Sequence, residues 1–368
     1  MVTEHFATSY LEARASFRAL AGEAGARLST FVLPGWQGAR AEALATDVAW
    51  LGPAAPRGAL IVTSGTHGVE GYAGSGFQCS LLADAGRRRL PADVALILVH
   101  AINPFGFSHG QRVNELNVDL NRNFIDFTGT LPESPDYGRL HDAIVPAAWA
   151  GAARQRADET IAQAWAALGE RGFQEVVCRG QHSYPDGLFY GGAAPSWSCQ
   201  TWRALLRDLP GATQVLAHID IHTGLGPKGY GEILYTLPER HPALSLARRW
   251  YEDLGFRAAG SRESAATEVR GTMNHAVIES AAAEIASISI EFGTIEFRRM
   301  FEALRAENWY RARSHSVPSE VREELLLCFC PSEPDWRESV LERCARVLAR
   351  TVEGITECLR SGRPTDPR

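Results

Sequence analysis

The chain has 368 residues, 45% of them hydrophobic, with 34 glycines and 19 prolines. That composition can bury a sizeable core in one large domain or two smaller ones. Its net charge of −6, with 37 Lys and Arg against 43 Asp and Glu, argues against nucleic acid or an anionic membrane as a partner.

The start, Met1–Phe6, has neither the basic residues nor the apolar stretch of a secretory signal. No apolar segment approaches the roughly 20 residues that span a bilayer. Residues 8–24 carry Tyr10, Leu11, Ala15, Phe17 and Leu20 at helical spacing. Two short strands are expected next, Leu28–Leu33 and Ala45–Trp50, with Pro34-Gly35 marking a turn after the first. Three aliphatic runs follow, Ala59–Thr63, Val94–Val99 and Val215–Ile221, each leading into a loop that contains Gly or Asn. Continuous apolar strands separated by helical segments imply an α/β fold with a mainly parallel sheet covered on both faces.

Arg87-Arg88-Arg89 reads as a helix end before Leu90-Pro91. Residues 138–171 read as helical, with Asp158 as a cap for Glu159–Leu168. Ile233–Thr236 and Ala286–Phe292 read as further strands, the second alternating strictly through Ile288, Ile290 and Phe292. Val340, Leu341, Cys344, Val347, Leu348, Val352 and Ile355 form a helical stripe within 335–359, of the kind that packs on a core. With no repeat, linker or composition break, the expectation is a single domain over 1–368, with a helical insertion at 138–171 and a helix at 335–359. The seven scattered cysteines read as reduced thiols of a cytoplasmic protein. Cys328-Phe329-Cys330 has the wrong spacing for a zinc knuckle or a redox pair.

The chemistry lies at the ends of the strands, where open α/β sheets bind ligands. His67 and Glu70 follow Ala59–Thr63, His222 ends Val215–Ile221, and Glu291 lies near the end of Ala286–Phe292. Two His and one Glu form a catalytic zinc set that leaves one position open. Asp220 shares a strand face with His222 and could hold its second ring nitrogen, or it could merely end the strand. His218 has the same parity but sits deeper and reads as a buried histidine. A glutamate in an apolar strand is costly unless paired or functional, so Glu291 is either a general base or the partner of an arginine such as Arg298. The segment Arg112–Phe124 offers Arg122 beside Asn121 as a carboxylate fork, and Arg112 as a group for a carbonyl oxygen that gains charge. Gly224-Leu225-Gly226-Pro227-Lys228-Gly229 spells a dinucleotide fingerprint, but a strand rather than a helix is expected after it.

Five segments carry a resemblance: His67-x-x-Glu70, Asn103-Pro104-Phe105-Gly106, Val118–Phe124, Asp220-Ile221-His222-Thr223 and Glu291-Phe292-Gly293-Thr294. Together they resemble the M14 zinc carboxypeptidases, and more narrowly the DUF2817 group, which Phe6–Arg14 and Pro185–Gly192 also fit. The resemblance implies a mixed eight-stranded sheet flanked by helices. It implies one zinc ion on His67, Glu70 and His222. The sequence itself leaves a second ion open, with Asp119 or His109 as its further ligands. Glu291 would be the general base, Arg112 would polarise the scissile carbonyl, and Asn121 and Arg122 would hold a terminal carboxylate. The implied reaction is hydrolysis of a peptide or amide bond beside a free carboxylate, in a small molecule or a peptide. Peptidases of this family carry a capping tyrosine shortly before the base, yet no tyrosine occurs between Tyr251 and Tyr310. Tyr190 is the candidate replacement. The missing tyrosine keeps open an N-acyl amino acid deacylase of the aspartoacylase or succinylglutamate desuccinylase type. A second alternative is a zinc-containing binding domain without turnover, which would have no need of Glu291 as a buried base.

Overall fold

The structure, a computed structural model, describes residues 4–361 apart from 87–89, 238–240, 281 and 283. The Arg87–Arg89 triplet therefore lies outside the described residues. The chain opens with helix α1 (Tyr10–Glu23), whose N-cap Ser9 accepts a hydrogen bond from the Glu12 amide. Tyr10, Ala13, Phe17 and Ala21 form its buried stripe. Strands β1 (Arg27–Gln37), β2 (Ala43–Leu51) and β3 (Gly58–Thr63) follow, then α2 (Gly71–Ala83), β4 (Val94–His100) and the short α3 (Pro104–His109).

The next segment is wholly helical: α4 (Pro135–Ile144), α5 (Gly151–Cys178) and α6 (Trp197–Arg207). The helix expected over 138–171 is thus two helices, separated by a break containing Pro146. Asp158 caps neither. It lies within α5 and pairs with Arg154 and Arg305, each at 2.7 Å. Beyond these come β5 (Val215–Gly224), β6 (Gly231–Tyr235), α7 (Pro242–Tyr251), β7 (Phe256–Ala258), α8 (Met273–Ile278) and β8 (Glu284–Gly293). The chain continues through α9 (Phe297–Trp309), α10 (Ser319–Phe329) and α11 (Pro334–Ser361). Among the described residues no helix is long and apolar enough to cross a membrane.

The eight strands form one mixed sheet in the order β1-β2-β4-β3-β5-β8-β6-β7. Its centre, β4-β3-β5-β8, is parallel, and antiparallel neighbours flank it on both sides. The three-residue β7 is too short to leave a periodic signal in the sequence. Because side chains alternate along a strand, Leu60 and Val62 of β3 face one way and Ala59 and Ile61 the other. The first pair packs with α1, α2, α7 and α11. The second packs with Trp202 of α6 and Met273 and Val277 of α8. Helices α4, α5, α9 and α10 build a further apolar cluster with Phe189, away from the sheet centre. This is why β3 and β4 are apolar at nearly every position, and β5 through Ala217: both faces are covered.

The topology puts the carboxyl ends of β3, β5 and β8 side by side. Thr63 pairs with Asp220, and His222 pairs with Glu291.

Candidate metal centre

Beyond β3 the chain enters a single 3₁₀ turn, Gly68–Glu70, with His67 as its N-cap. In so tight a turn residues three apart eclipse, which sets the His67 and Glu70 side chains together. The turn is pinned by backbone bonds from Gly68 to Arg112 O and from Val69 to Gln111 O, both 3.0 Å. Close approach is required here: a Cβ on Gly68 would sit 2.0 Å from the carbonyl carbon of Gly106. His67, Glu70 and Arg112 are thereby fixed as one unit.

Glu70 bridges the two imidazoles. Its Oε1 lies 2.9 Å from His67 Nδ1 and its Oε2 2.9 Å from His222 Nδ1. One donor atom from each of His67, Glu70 and His222 falls within 4.8 Å of the others, and all three residues are buried. The outer nitrogens are held in turn by carboxylates. His67 Nε2 is 3.0 Å from Asp119 Oδ1, and His222 Nε2 is 2.5 Å from Asp220 Oδ2. These carboxylates fix the orientation of both rings, with Nδ1 turned toward the cluster, and Arg112 Nη2 also approaches His67 Nε2, at 2.9 Å.

Burial alone would raise the Glu70 pKa, but the His67 and His222 contacts and the Arg112 charge drive it far down. Asp119 and Asp220 are likewise pushed down against their burial, Asp119 chiefly by Arg112 and His67, Asp220 chiefly by His222. Desolvation would lower His222, yet Asp220 and Glu70 raise it well above the usual value. Glu291 moves the other way, up to about 7, because it lies deep in the protein and faces the Glu70 charge. Part of its surface stays open to the pocket, and its Oε1 accepts the Leu225 amide at 2.9 Å. Four carboxylates (Glu70, Asp119, Asp220, Glu291) thus gather around two guanidiniums (Arg112, Arg122) and two imidazoles. Two imidazole nitrogens and a carboxylate are also the donor set zinc favours. The residues fit a zinc ion.

Arg112 donates from Nη1 to Glu70 at 2.8 Å and from Nε to Asp119 at 3.0 Å. Arg122 donates to Asn121 O at 2.9 Å and, through Nε, to Cys178 O at 3.2 Å. Both guanidiniums lie over the Phe189 ring, at 5.3 and 5.7 Å from its centroid. Asn121 accepts the Met273 amide at 3.0 Å, and its Nδ2 is 3.3 Å from His222 Nε2. His67, Glu70, Arg112, Asn121, Arg122, His222 and Glu291 all line one pocket of about 110 Å³.

Other residues singled out in the sequence lie elsewhere. Tyr190 does not line this pocket; it packs in the cluster with Val118 and Leu120, and its carbonyl accepts the Asp119 amide at 2.8 Å. The backbone turn aims its neighbour Phe189 at the pocket instead. Asp119 grips His67 Nε2 and Arg112 from outside the donor cluster, and His109 stacks on Phe105 at 4.2 Å. Neither joins the cluster found among the described residues. His218 is fully buried between Thr63 and Ser287, each at 3.0 Å. Arg298 stands over Trp165 rather than beside Glu291. Cys328 and Cys330 are buried free thiols. Gly224–Gly229 is a turn leading to β6, with no helix start. The Asp119–His67 clasp was missed, although an acid two residues before Asn121 in a dense polar segment was a usable signal. Phe189 had none.

The sequence matches the family described as "Protein of unknown function (DUF2817)" over residues 6–343. No curated protein matches it. Among solved structures, the crystal structure of thrombin activatable fibrinolysis inhibitor is similar, with a TM-score of 0.54 at 13% identity, covering 95% of this chain and 74% of that one. Carboxypeptidase A from Helicoverpa armigera gives a TM-score of 0.49 at 14% identity, covering 94% of this chain and 74% of that one. At such identities only the fold is compared, and the first match carries it.

Proposed function

The chain belongs to the DUF2817 family, and from that premise we propose that it is a zinc-dependent hydrolase, one domain throughout, that cleaves a peptide or amide bond beside a free carboxylate. The observation that carries this reading is the His67–Glu70–His222 cluster with Glu291 in the same pocket, a carboxyl group held near neutrality across from three metal donors. A protein that only bound a metal would have no use for such a group.

His67, Glu70 and His222 would hold the ion, which supplies Lewis acidity at the scissile carbonyl. Glu291 takes a proton from the attacking water as its oxygen bonds to the carbonyl carbon. The C–N bond then breaks, and Glu291 returns that proton to the leaving nitrogen, so one water is consumed and a carboxylic acid and an amine are released. Arg112 stands beside Glu70 and stabilises the oxygen that gains negative charge. Arg122 and Asn121 anchor the substrate carboxylate, and Phe189 under both guanidiniums keeps them spaced. The absence of tyrosine from the pocket lining among the described residues favours a second reading within the same chemistry, deacylation of an N-acyl amino acid.

The test is metal analysis of the purified protein, followed by the Glu291→Gln variant on a panel of C-terminal dipeptides and N-acyl amino acids. Zinc content near one per chain with kcat reduced roughly 10²–10⁴-fold is expected. Unchanged turnover in a zinc-loaded Glu291→Gln protein would remove Glu291 as the base.

A further inference from the structure

The pocket in front of Glu291 has two walls, and neither adds a charge to the groups already named. The first is built by Leu234 of β6, Thr236 just beyond it, Ser289 of β8, and Thr267, Val269 and Thr272 from the segment after β7. Its hydroxyls face one another or their neighbours: Thr236 Oγ1 is 2.9 Å from Thr272 Oγ1, and Ser289 Oγ is 3.5 Å from Asn274 Oδ1. This wall adjoins the carboxylate anchor, because the Met273 amide donates to Asn121 Oδ1.

The arginines behind that wall are turned away from it. Arg171 of α5 donates to Ser264 O at 2.9 Å and to Ala266 O at 3.0 Å, and Arg257 donates to Glu263 O at 2.7 Å. Gln174 and Glu232 hold Ala265 from its carbonyl and amide sides, at 3.1 and 3.2 Å. The segment is fixed from behind, and neither Arg171 nor Arg257 lines the pocket.

The second wall is Phe297, Met300 and Leu304 of α9, Phe329 of α10, and Leu225. It stands beside the base: a Cβ on Gly224 would meet Phe329 at 3.2 Å, Met300 at 3.3 Å and Glu291 Oε1 at 3.4 Å.

Granting the hydrolase reading, we propose that the substrate is an N-acyl or N-peptidyl amino acid with an uncharged side chain beside its carboxylate and an apolar group across the bond. Aspartate, glutamate, lysine and arginine are refused at the carboxylate position. A charge pressed against the first wall would be buried without a partner, which costs far more than the contacts it could make. The geometry therefore disfavours an enzyme for acidic amino acids, which would need a second cation.

The experiment measures kcat/KM of the zinc-loaded wild-type protein on the N-acetyl and N-hexanoyl derivatives of alanine, valine, threonine, aspartate, glutamate, lysine and arginine. Neutral members should exceed charged ones by roughly 100-fold or more, and hexanoyl should exceed acetyl by at least roughly tenfold. In Val269→Arg, at a half-buried wall position, the glutamate-to-alanine ratio should rise by at least roughly tenfold. Equal or faster hydrolysis of a charged member, or an unmoved ratio in the folded variant, would overturn the proposal while leaving a hydrolase. Hydrolysis of none of the series would instead sink the hydrolase reading, and this one with it.

Discussion

Replacing Asp119 by asparagine tests whether the outer carboxylates organise the metal donors. Asp119 is fully buried, with Oδ1 at 3.0 Å from His67 Nε2 and Oδ2 at 3.0 Å from Arg112 Nε. Asparagine keeps the shape but turns one acceptor into a donor and removes the charge. Whichever way the amide turns, either His67 or Arg112 then faces an N–H group. A hydrogen bond to a charged group is worth about 1.5–3 kcal/mol net. Loss of the residue that orients a metal-binding histidine typically costs about 10–100-fold in affinity, or about 1.4–2.7 kcal/mol. The two routes agree, so zinc should bind Asp119→Asn roughly 10–100-fold more weakly. Competition against a chromophoric chelator at neutral pH measures this, with circular dichroism confirming that the variant is folded. An unchanged dissociation constant in folded protein would refute the idea that Asp119 presents His67 to the ion.

Arg122→Lys keeps the charge but loses the planar fork, so KM should rise about tenfold or more for substrates with a free carboxylate; equal losses on their amidated analogues would remove the anchoring role. His100 is fully buried, stacked on Phe17 and 2.9 Å from Ser75 Oγ, and burial pushes its pKa down to about 4. Its folded value lies below the unfolded one of 6.5, so its contribution is complete above that pH and is lost as pH falls toward 4. The loss amounts to about 3 kcal/mol. Urea midpoints at pH 7 and 4.5 should therefore fall further for the wild type than for His100→Phe, and parallel falls would show that His100 is not the titrating group.

Much of the sheet was legible because burial on both faces leaves runs rich in aliphatic residues, as in Val94–Val99 and Val215–Ile221. The donor cluster was legible for a related reason: a polar residue after such a run stands out, and His67, His222 and Glu291 each do. The short β7, the split between α4 and α5 and the place of Asp158 were not, since a three-residue strand has no period and a helical pattern does not show where a loop interrupts it. Tyr190 and Phe189 are adjacent in an irregular turn, where no alternation tells which ring faces the pocket.

By itself the sequence determined the helices and strands with strong periodicity, the residue types able to hold a metal, and their places at strand ends. Only the tertiary structure decided that His222 and Glu291 are register partners, that Asp119 and Asp220 clasp the two imidazoles from outside, and that Arg171 is turned away from the pocket. Periodicity reports which face of an element is buried. It carries nothing about which distant element covers that face, and the contacts that shape this site join residues as far apart as His67 and Asp119, or Glu70 and His222.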